Sequence, residues 1–336
     1  MAKCDLEIEL NKRQFFPGET AEVTLWVNGN TNFSCKEITI DLIRRAHGKG
    51  NTNTKRIERM SVYSGDIKEG EQLELHCGFV LPEEPLTYHG QYLNVDWIVK
   101  ANVDVAWAFD PKCEVDLVLM SNPDAEKPKP IEDVKVYGEE NTKSSCVGLV
   151  FLGIFGTFPL MMFVGSLWSV LNGEEGAIFG MLFSSLFVFI LGIAAFFIMR
   201  NRIAIKAVGP VELRLDQEVY FPGQTLTGMI SFTPQKKLEI NSVNVAIKCT
   251  EVVVRGSGTN KTTYTKNLVN QKVVVQSSME AYPRDPVEIP FEFTLPDRPM
   301  YSFTAPSNTL KWEVSNQIDI DRWPDFSHDW KFTVRG

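Results

Sequence analysis

Leu6-Glu7-Ile8-Glu9-Leu10-Asn11-Lys12-Arg13-Gln14-Phe15-Phe16-Pro17-Gly18-Glu19-Thr20 recurs later in the chain as Val211-Glu212-Leu213-Arg214-Leu215-Asp216-Gln217-Glu218-Val219-Tyr220-Phe221-Pro222-Gly223-Gln224-Thr225. In both copies apolar residues alternate with polar ones, the period of a half-buried strand. Each then runs through an aromatic residue and Phe into Pro-Gly. Proline fixes φ and glycine accepts the left-handed conformation, so this pair ends a strand in a tight turn. A repeat of this length means that one structural unit is present twice.

The far ends of the two units correspond as well. Phe79-Val80-Leu81-Pro82-Glu83-Glu84-Pro85 matches Phe293-Thr294-Leu295-Pro296-Asp297-Arg298-Pro299, each followed by a strand around a tryptophan, Trp97 or Trp312. Asp104 and Asp319 follow at equal distances. Within the first unit, strand patterns run over 21–27, 37–43, 57–63, 72–80, 94–105 and 113–119, broken by Pro17-Gly18, Asn28-Gly29 and the polar stretch 48–53. That rhythm predicts a mostly β protein made of two antiparallel sandwiches, with one polar face on each sheet. The large apolar residue before each turn, Phe16 and Phe221, is expected to fill its core.

Between the units, residues 146–171 and 177–199 carry no charge, and Asn172-Gly173-Glu174-Glu175-Gly176 separates them. Each stretch exceeds the roughly 20 residues a helix needs to cross a membrane, so the pair reads as a transmembrane hairpin, bent at Pro159. Lys143, Arg200, Arg202 and Lys206 flank the pair and only acids occupy the turn, which places both soluble halves on the cytoplasmic side. The expected organisation is a sandwich over 1–120, a Pro-rich charged linker over 121–143, the hairpin over 144–200 and a second sandwich over 201–336.

Residues 1–143 hold 17 Lys+Arg and 25 Asp+Glu, net −8, and residues 200–336 hold 17 and 15, net +2. Neither half has the basic balance of a nucleic-acid binder. The cysteines at 4, 35, 77, 113, 146 and 249 show no CxxC spacing and read as reduced thiols. Asn32-Phe33-Ser34 and Asn260-Lys261-Thr262 match glycosylation sequons, patterns short enough to arise by chance.

The stretch Phe16-Pro17-Gly18-Glu19-Thr20, the Phe-x-Leu-Pro-x-x-Pro segments, and Asn94-Val95-Asp96-Trp97-Ile98-Val99-Lys100-Ala101 together resemble the arrestin superfamily, over both halves of the chain. The resemblance implies tandem sandwiches acting as a scaffold or adaptor for a protein partner. The apolar pair between the sandwiches departs from the family pattern, and the family's phosphate-sensing basic strand has no clear counterpart.

Chemistry is sparse. His47, His76, His89 and His328 lie in separate segments, and none has a cysteine or carboxylate at a ligand spacing. No phosphate-cradling loop, nucleophile elbow or HExxH motif occurs, so neither an enzyme nor a cofactor is expected. Asp104 and Asp110, mirrored by Asp319 and Asp325 with Asp321 between, are the acidic candidates. They would serve an alternative reading as a sensor or enzyme with a calcium site, but they alternate with apolar residues as an ordinary solvated strand face does.

Arg44, Arg45, Lys49, Lys55, Arg56 and Arg59, with His47, form the densest basic group of an acidic half. Arginine clusters of this kind recognise acidic or phosphorylated segments, and charged hairpin ends also keep sheets soluble. The leading expectation is a membrane-anchored adaptor docking such a partner there. Homo-oligomerisation stays open.

Overall fold

A computed structural model describes residues 3–106, 109–122, 135–137, 143–174 and 177–336. The first half contains β1 (Cys4–Leu10), β2 (Gln14–Phe15), β3 (Thr20–Gly29), β4 (Phe33–Gly48), β5 (Asn53–Ile67), β6 (Gln72–Val80), β7 (Tyr88–His89), β8 (Leu93–Val105) and β9 (Lys112–Leu119). Next come β10 (Lys135–Tyr137) and two helices, α1 (Lys143–Leu171) and α2 (Ala177–Val208). The second half contains β11 (Val211–Leu215), β12 (Val219–Tyr220), β13 (Thr225–Phe232), β14 (Leu238–Arg255), β15 (Thr262–Gln276), β16 (Met279–Ala281), β17 (Val287–Thr294), β18 (Phe303–Ala305), β19 (Asn308–Ile320) and β20 (Phe326–Val334).

The repeat in sequence is a repeat in topology. Sheet β1-β3-β6 of the first half corresponds to β11-β13-β17 of the second, and β2-β9-β8-β4-β5 corresponds to β12-β20-β19-β14-β15. Even the one short parallel pairing recurs, β2 with β9 and β12 with β20. Each half packs its two sheets over a core of alternate side chains. Val23, Leu25, Ile38, Ile40, Trp97 and Val99 form part of the first core, and Leu213, Ile230, Val245, Ile247, Trp312 and Val314 part of the second.

The repeated motifs tie each sandwich together. Gly18 and Gly223 sit at φ 78° and 77°, which the Pro-Gly turns require. In the first turn the Glu19 amide donates to the Phe16 carbonyl (3.2 Å), and Glu19 Oε2 accepts from the Phe16 amide (2.7 Å). In the second, Gln224 makes the same pair of contacts with Phe221 at 3.1 and 3.0 Å. The leucine of each Phe-x-Leu-Pro segment then donates its amide to the turn, Leu81 to Glu19 O and Leu295 to Gln224 O, both at 2.9 Å. Trp97 and Trp312, buried in the two cores, donate their indole N–H to the Pro85 and Met300 carbonyls at 2.9 and 2.7 Å.

One expected core position shifts by a residue. Phe15 and Tyr220 are fully buried, whereas Phe16 and Phe221 are half-buried. Phe15 and Tyr220 end the strands β2 and β12, whose alternation turns them inward, and the next residue already begins the turn.

α1 and α2 form over the two apolar stretches, with Pro159 inside a continuous α1. The last turns of α2 belong to the second sandwich. Ala204, Ala207 and Val208 are buried in its core, and Gly209 closes the helix at φ 81°, where a Cβ would overlap the Thr233 carbonyl. The expected integral membrane protein, with two spans and both halves cytoplasmic, is corrected. Among the described residues no helix is long and apolar enough to cross a membrane. Side chains are described over 157–174 and 178–193. Within those stretches Phe158, Met161, Trp168, Phe179 and Phe189 are exposed. Cys146, Arg200, Arg202 and most of the linker carry no described side chains.

Candidate docking surface

β4, β5 and the connection between them hold the basic residues singled out from the sequence, and the structure sorts them onto different surfaces. On β4, Ile38, Ile40 and Leu42 face the first core, and at the strand's far end the same side reaches the second sandwich. Arg44 there lies over the Phe303 ring at 5.2 Å, and burial lowers its pKa from the usual guanidinium value. Lys49 lies 3.8 Å from the Tyr92 ring centre and 5.7 Å from that of Tyr264, so it bridges the two halves. These two cations are spent within the molecule.

The outer face is different. A bulge in β5 pairs Leu42 with Glu58 and Ile43 with Arg56, which leaves Ile57 unopposed. Arg56 and Arg59, three residues apart, would point to opposite faces of a regular strand, but across this bulge both reach Asp41. Arg59 donates two hydrogen bonds to the Asp41 carboxylate at 2.6 and 2.8 Å, and Arg56 stands 4.0 Å away with its side chain 52% exposed. That bidentate contact raises the Arg59 pKa further. Arg45 donates to Glu114 (3.1 Å), with Lys100 3.8 Å from the same carboxylate, whose pKa falls chiefly through the Arg45 contact. Lys55, paired opposite Arg44, is exposed near the hairpin end on Arg44's side of the sheet and not on this outer face. Around Asp41, Glu114 and the nearby Glu37, four cations therefore face three carboxylates.

Sequence spacing missed a cluster on this side. His47 on β4 and His89 on β7 both contact the carboxylate of Asp96 on β8, His89 Nε2 at 2.7 Å from Oδ1. Only the strand order β4-β8-β7 brings them together, so nothing in their sequence separation announces it. Among the described residues no group of three or more His, Cys, Asp or Glu is placed to hold a metal ion. Asp104 and Asp319 do occupy equivalent places, Asp104 opposite Glu37 and Asp319 opposite Ser242, each on a strand. Asp110 Oδ1 accepts from the Val105 amide (3.2 Å), and Asp325 from Gln317 (3.3 Å). Cys4, Cys35, Cys77, Cys113 and Cys249 are free thiols.

The halves meet through polar contacts that no sequence pattern marked. Glu251, fully buried on β14, accepts three hydrogen bonds from the first half: the Tyr88 hydroxyl (2.7 Å), the Gln91 amide (3.1 Å) and the Tyr92 amide (2.9 Å). A Cβ at Gly90 would collide with that carboxylate. The connection between β4 and β5 docks alongside. The Asn51 amide donates to Val254 O (2.8 Å), its side chain exchanges hydrogen bonds with the Gly256 backbone (2.9 and 3.0 Å), and Asn308 donates to Asn51 O (2.7 Å). Thus the polar stretch that breaks the strand pattern at 48–53 is an interdomain strut. A cleft of about 590 Å3 opens beside it, between residues 87–91 and residues 266–268 and 298–300.

Two domain models of one family match the two sandwiches. The arrestin (or S-antigen) C-terminal domain matches residues 2–124, and the arrestin (or S-antigen) N-terminal domain matches residues 211–335. The chain belongs to the arrestin superfamily. Its two arrestin domains stand in the reverse of the order their names imply, and both matches stop short of α1 and α2. No curated protein matches the chain. Arrestin membership supports a role of the scaffold or adaptor type.

Proposed function

We propose that this arrestin-family chain is a non-enzymatic adaptor whose first sandwich docks an acidic or phosphorylated segment of a protein partner on its outer β4–β5 face. In this reading residues 1–120 and 201–336 are the two domains, and the buried contacts around Glu251 hold them in fixed relation. The observation that carries the proposal is the bulge at Ile57, which gathers Arg56 and Arg59 on the single carboxylate of Asp41. Two guanidiniums sharing one acid leave unbalanced positive charge on a domain whose net charge is negative. A phosphate or carboxylate arriving there gains bidentate partners already held in place. Arg44 and Lys49, turned toward the second half, serve the domain junction instead.

The test is binding of a fluorescent phosphoserine-containing peptide to the parent chain and to the double variant Arg45→Gln and Arg56→Gln. These side chains are exposed or half-exposed, so circular dichroism should be unchanged. Affinity should drop about tenfold or more in the variant, and the parent's affinity should weaken as salt rises, since partly exposed charges are screened beyond about 8 Å at physiological ionic strength. Equal affinity for parent and variant would remove this face as the site.

A further inference from the structure

We propose that the outer edge of β1 receives an extended peptide segment in which apolar residues alternate with lysine or arginine, adding it to the first sandwich's small sheet as a fourth strand. The inference comes from comparing the two halves, and it is independent of the basic β4–β5 face.

In the second half the corresponding edge is filled. β11 pairs with β13 on one side and with β10 on the other, in the register Lys135↔Leu215, Val136↔Arg214 and Tyr137↔Leu213. In the first half β1 pairs with β3 over its whole length, from Cys4↔Gly29 to Leu10↔Val23, and among the described residues no strand is hydrogen-bonded to its other edge, with β9 of the facing sheet passing close by. Burial differs as well, with the last turns of α2 also packed into the second core. Val211, Leu213 and Leu215 are 0%, 0% and 1% exposed, whereas their repeat counterparts Leu6, Ile8 and Leu10 are only half-buried against the first core. The outward amide and carbonyl groups of β1 thus lie beside an incompletely covered apolar row. Such an edge can take up an added strand, whose backbone supplies the missing hydrogen bonds.

The other face of β1 specifies what fits. Asp5, Glu7 and Glu9 are all exposed, and β3 sets Asn28, Trp26 and Thr24 opposite them, with no cation. A second copy of β1 would bring acids against acids, because like charges placed across strands repel. A strand with Lys or Arg at alternate positions instead pairs its cations with this acidic row and lays its apolar residues beside Leu6, Ile8 and Leu10. On β11 the same face carries Glu212 and Arg214, of mixed sign, so the acidic selectivity belongs to β1 alone.

The experiment uses the full chain and two fluorescent nine-residue peptides, one alternating Lys with Val and Tyr, the other with Glu in place of each Lys. The parent should bind the basic peptide and reject the acidic one, and hydrogen exchange should slow at the amides of 4–10. The triple variant Asp5→Lys, Glu7→Lys and Glu9→Lys should reverse the preference, with the basic peptide weakened about tenfold by the loss of three cross-strand charge pairs. The exchange map is read on the unmutated chain, so it stands even if the variant folds poorly. Absence of binding, or protection at β5 or β15 in place of β1, would overturn the proposal, as would an affinity indifferent to the triple variant. Substituting Arg45 and Arg56 should leave this binding unchanged, which separates its outcome from that of the adaptor reading.

Discussion

Replacing Glu251 by alanine should loosen the junction between the two halves without unfolding either sandwich. The carboxylate is fully buried and accepts from Tyr88, Gln91 and Tyr92 at 2.7, 3.1 and 2.9 Å. A hydrogen bond to a charged acceptor contributes about 1.5–3 kcal/mol, and a buried donor left without a partner costs about 1–3 kcal/mol. The three contacts share one acceptor and do not add independently, and the cleft beside residues 87–91 lets water reach part of the segment. The net cost is therefore set at about 3 kcal/mol, the penalty of the orphaned buried donors less what water recovers. Tyr88→Phe, which leaves both amide contacts, should cost about 1.5–3 kcal/mol. Because a chain with two sandwiches need not unfold in one step, a global melting temperature is a poor readout. Hydrogen exchange at the Gln91 and Tyr92 amides reports the contact directly, and both should exchange at least about a hundredfold faster in Glu251→Ala, the equivalent of about 2.8 kcal/mol. Unchanged protection at those two amides would show that the carboxylate does not hold the halves together.

Phe15→Ala and Tyr220→Ala should each destabilise their own sandwich by about 3–5 kcal/mol in denaturant titration, while Phe16→Ala and Phe221→Ala cost markedly less, and the reverse order would refute the core assignment. Burial pushes the Cys4, Cys77 and Cys113 thiols from 9.0 up to about 11. Folded values above the unfolded one mean that this contribution to stability is complete below pH 9 and lost as pH rises through about 11. Denaturation midpoints should therefore fall between pH 8.5 and pH 11 as an order-of-magnitude window, and a flat profile would contradict the thiols' burial.

The duplication was legible because it is written in local chemistry. Strand alternation, a Pro-Gly turn needing a left-handed glycine, and a leucine-proline segment each leave a mark within a few residues, and each appears twice. The strands read over 72–80, 94–105 and 113–119 lie within β6, β8 and β9 for that reason. Alternation alone could not say which of two adjacent aromatics faces inward beside a turn, so Phe16 stood in for Phe15. Apolar composition likewise predicted helices at α1 and α2 correctly, while the two-span membrane placement built on it did not hold.

What only the tertiary structure decided depends on residues far apart in the chain. The basic group was visible as composition, yet strand register and one bulge determined that Arg56 and Arg59 converge on Asp41 while Arg44 and Lys49 turn to the other half. His47, Asp96 and His89 meet because β4, β8 and β7 are neighbours, and Glu251 meets Tyr88 because two sandwiches pack together. A sequence records each side chain's chemistry and its local period. Which charges neutralise one another, and which stay exposed, is fixed by contacts between strands that the chain orders only when it folds.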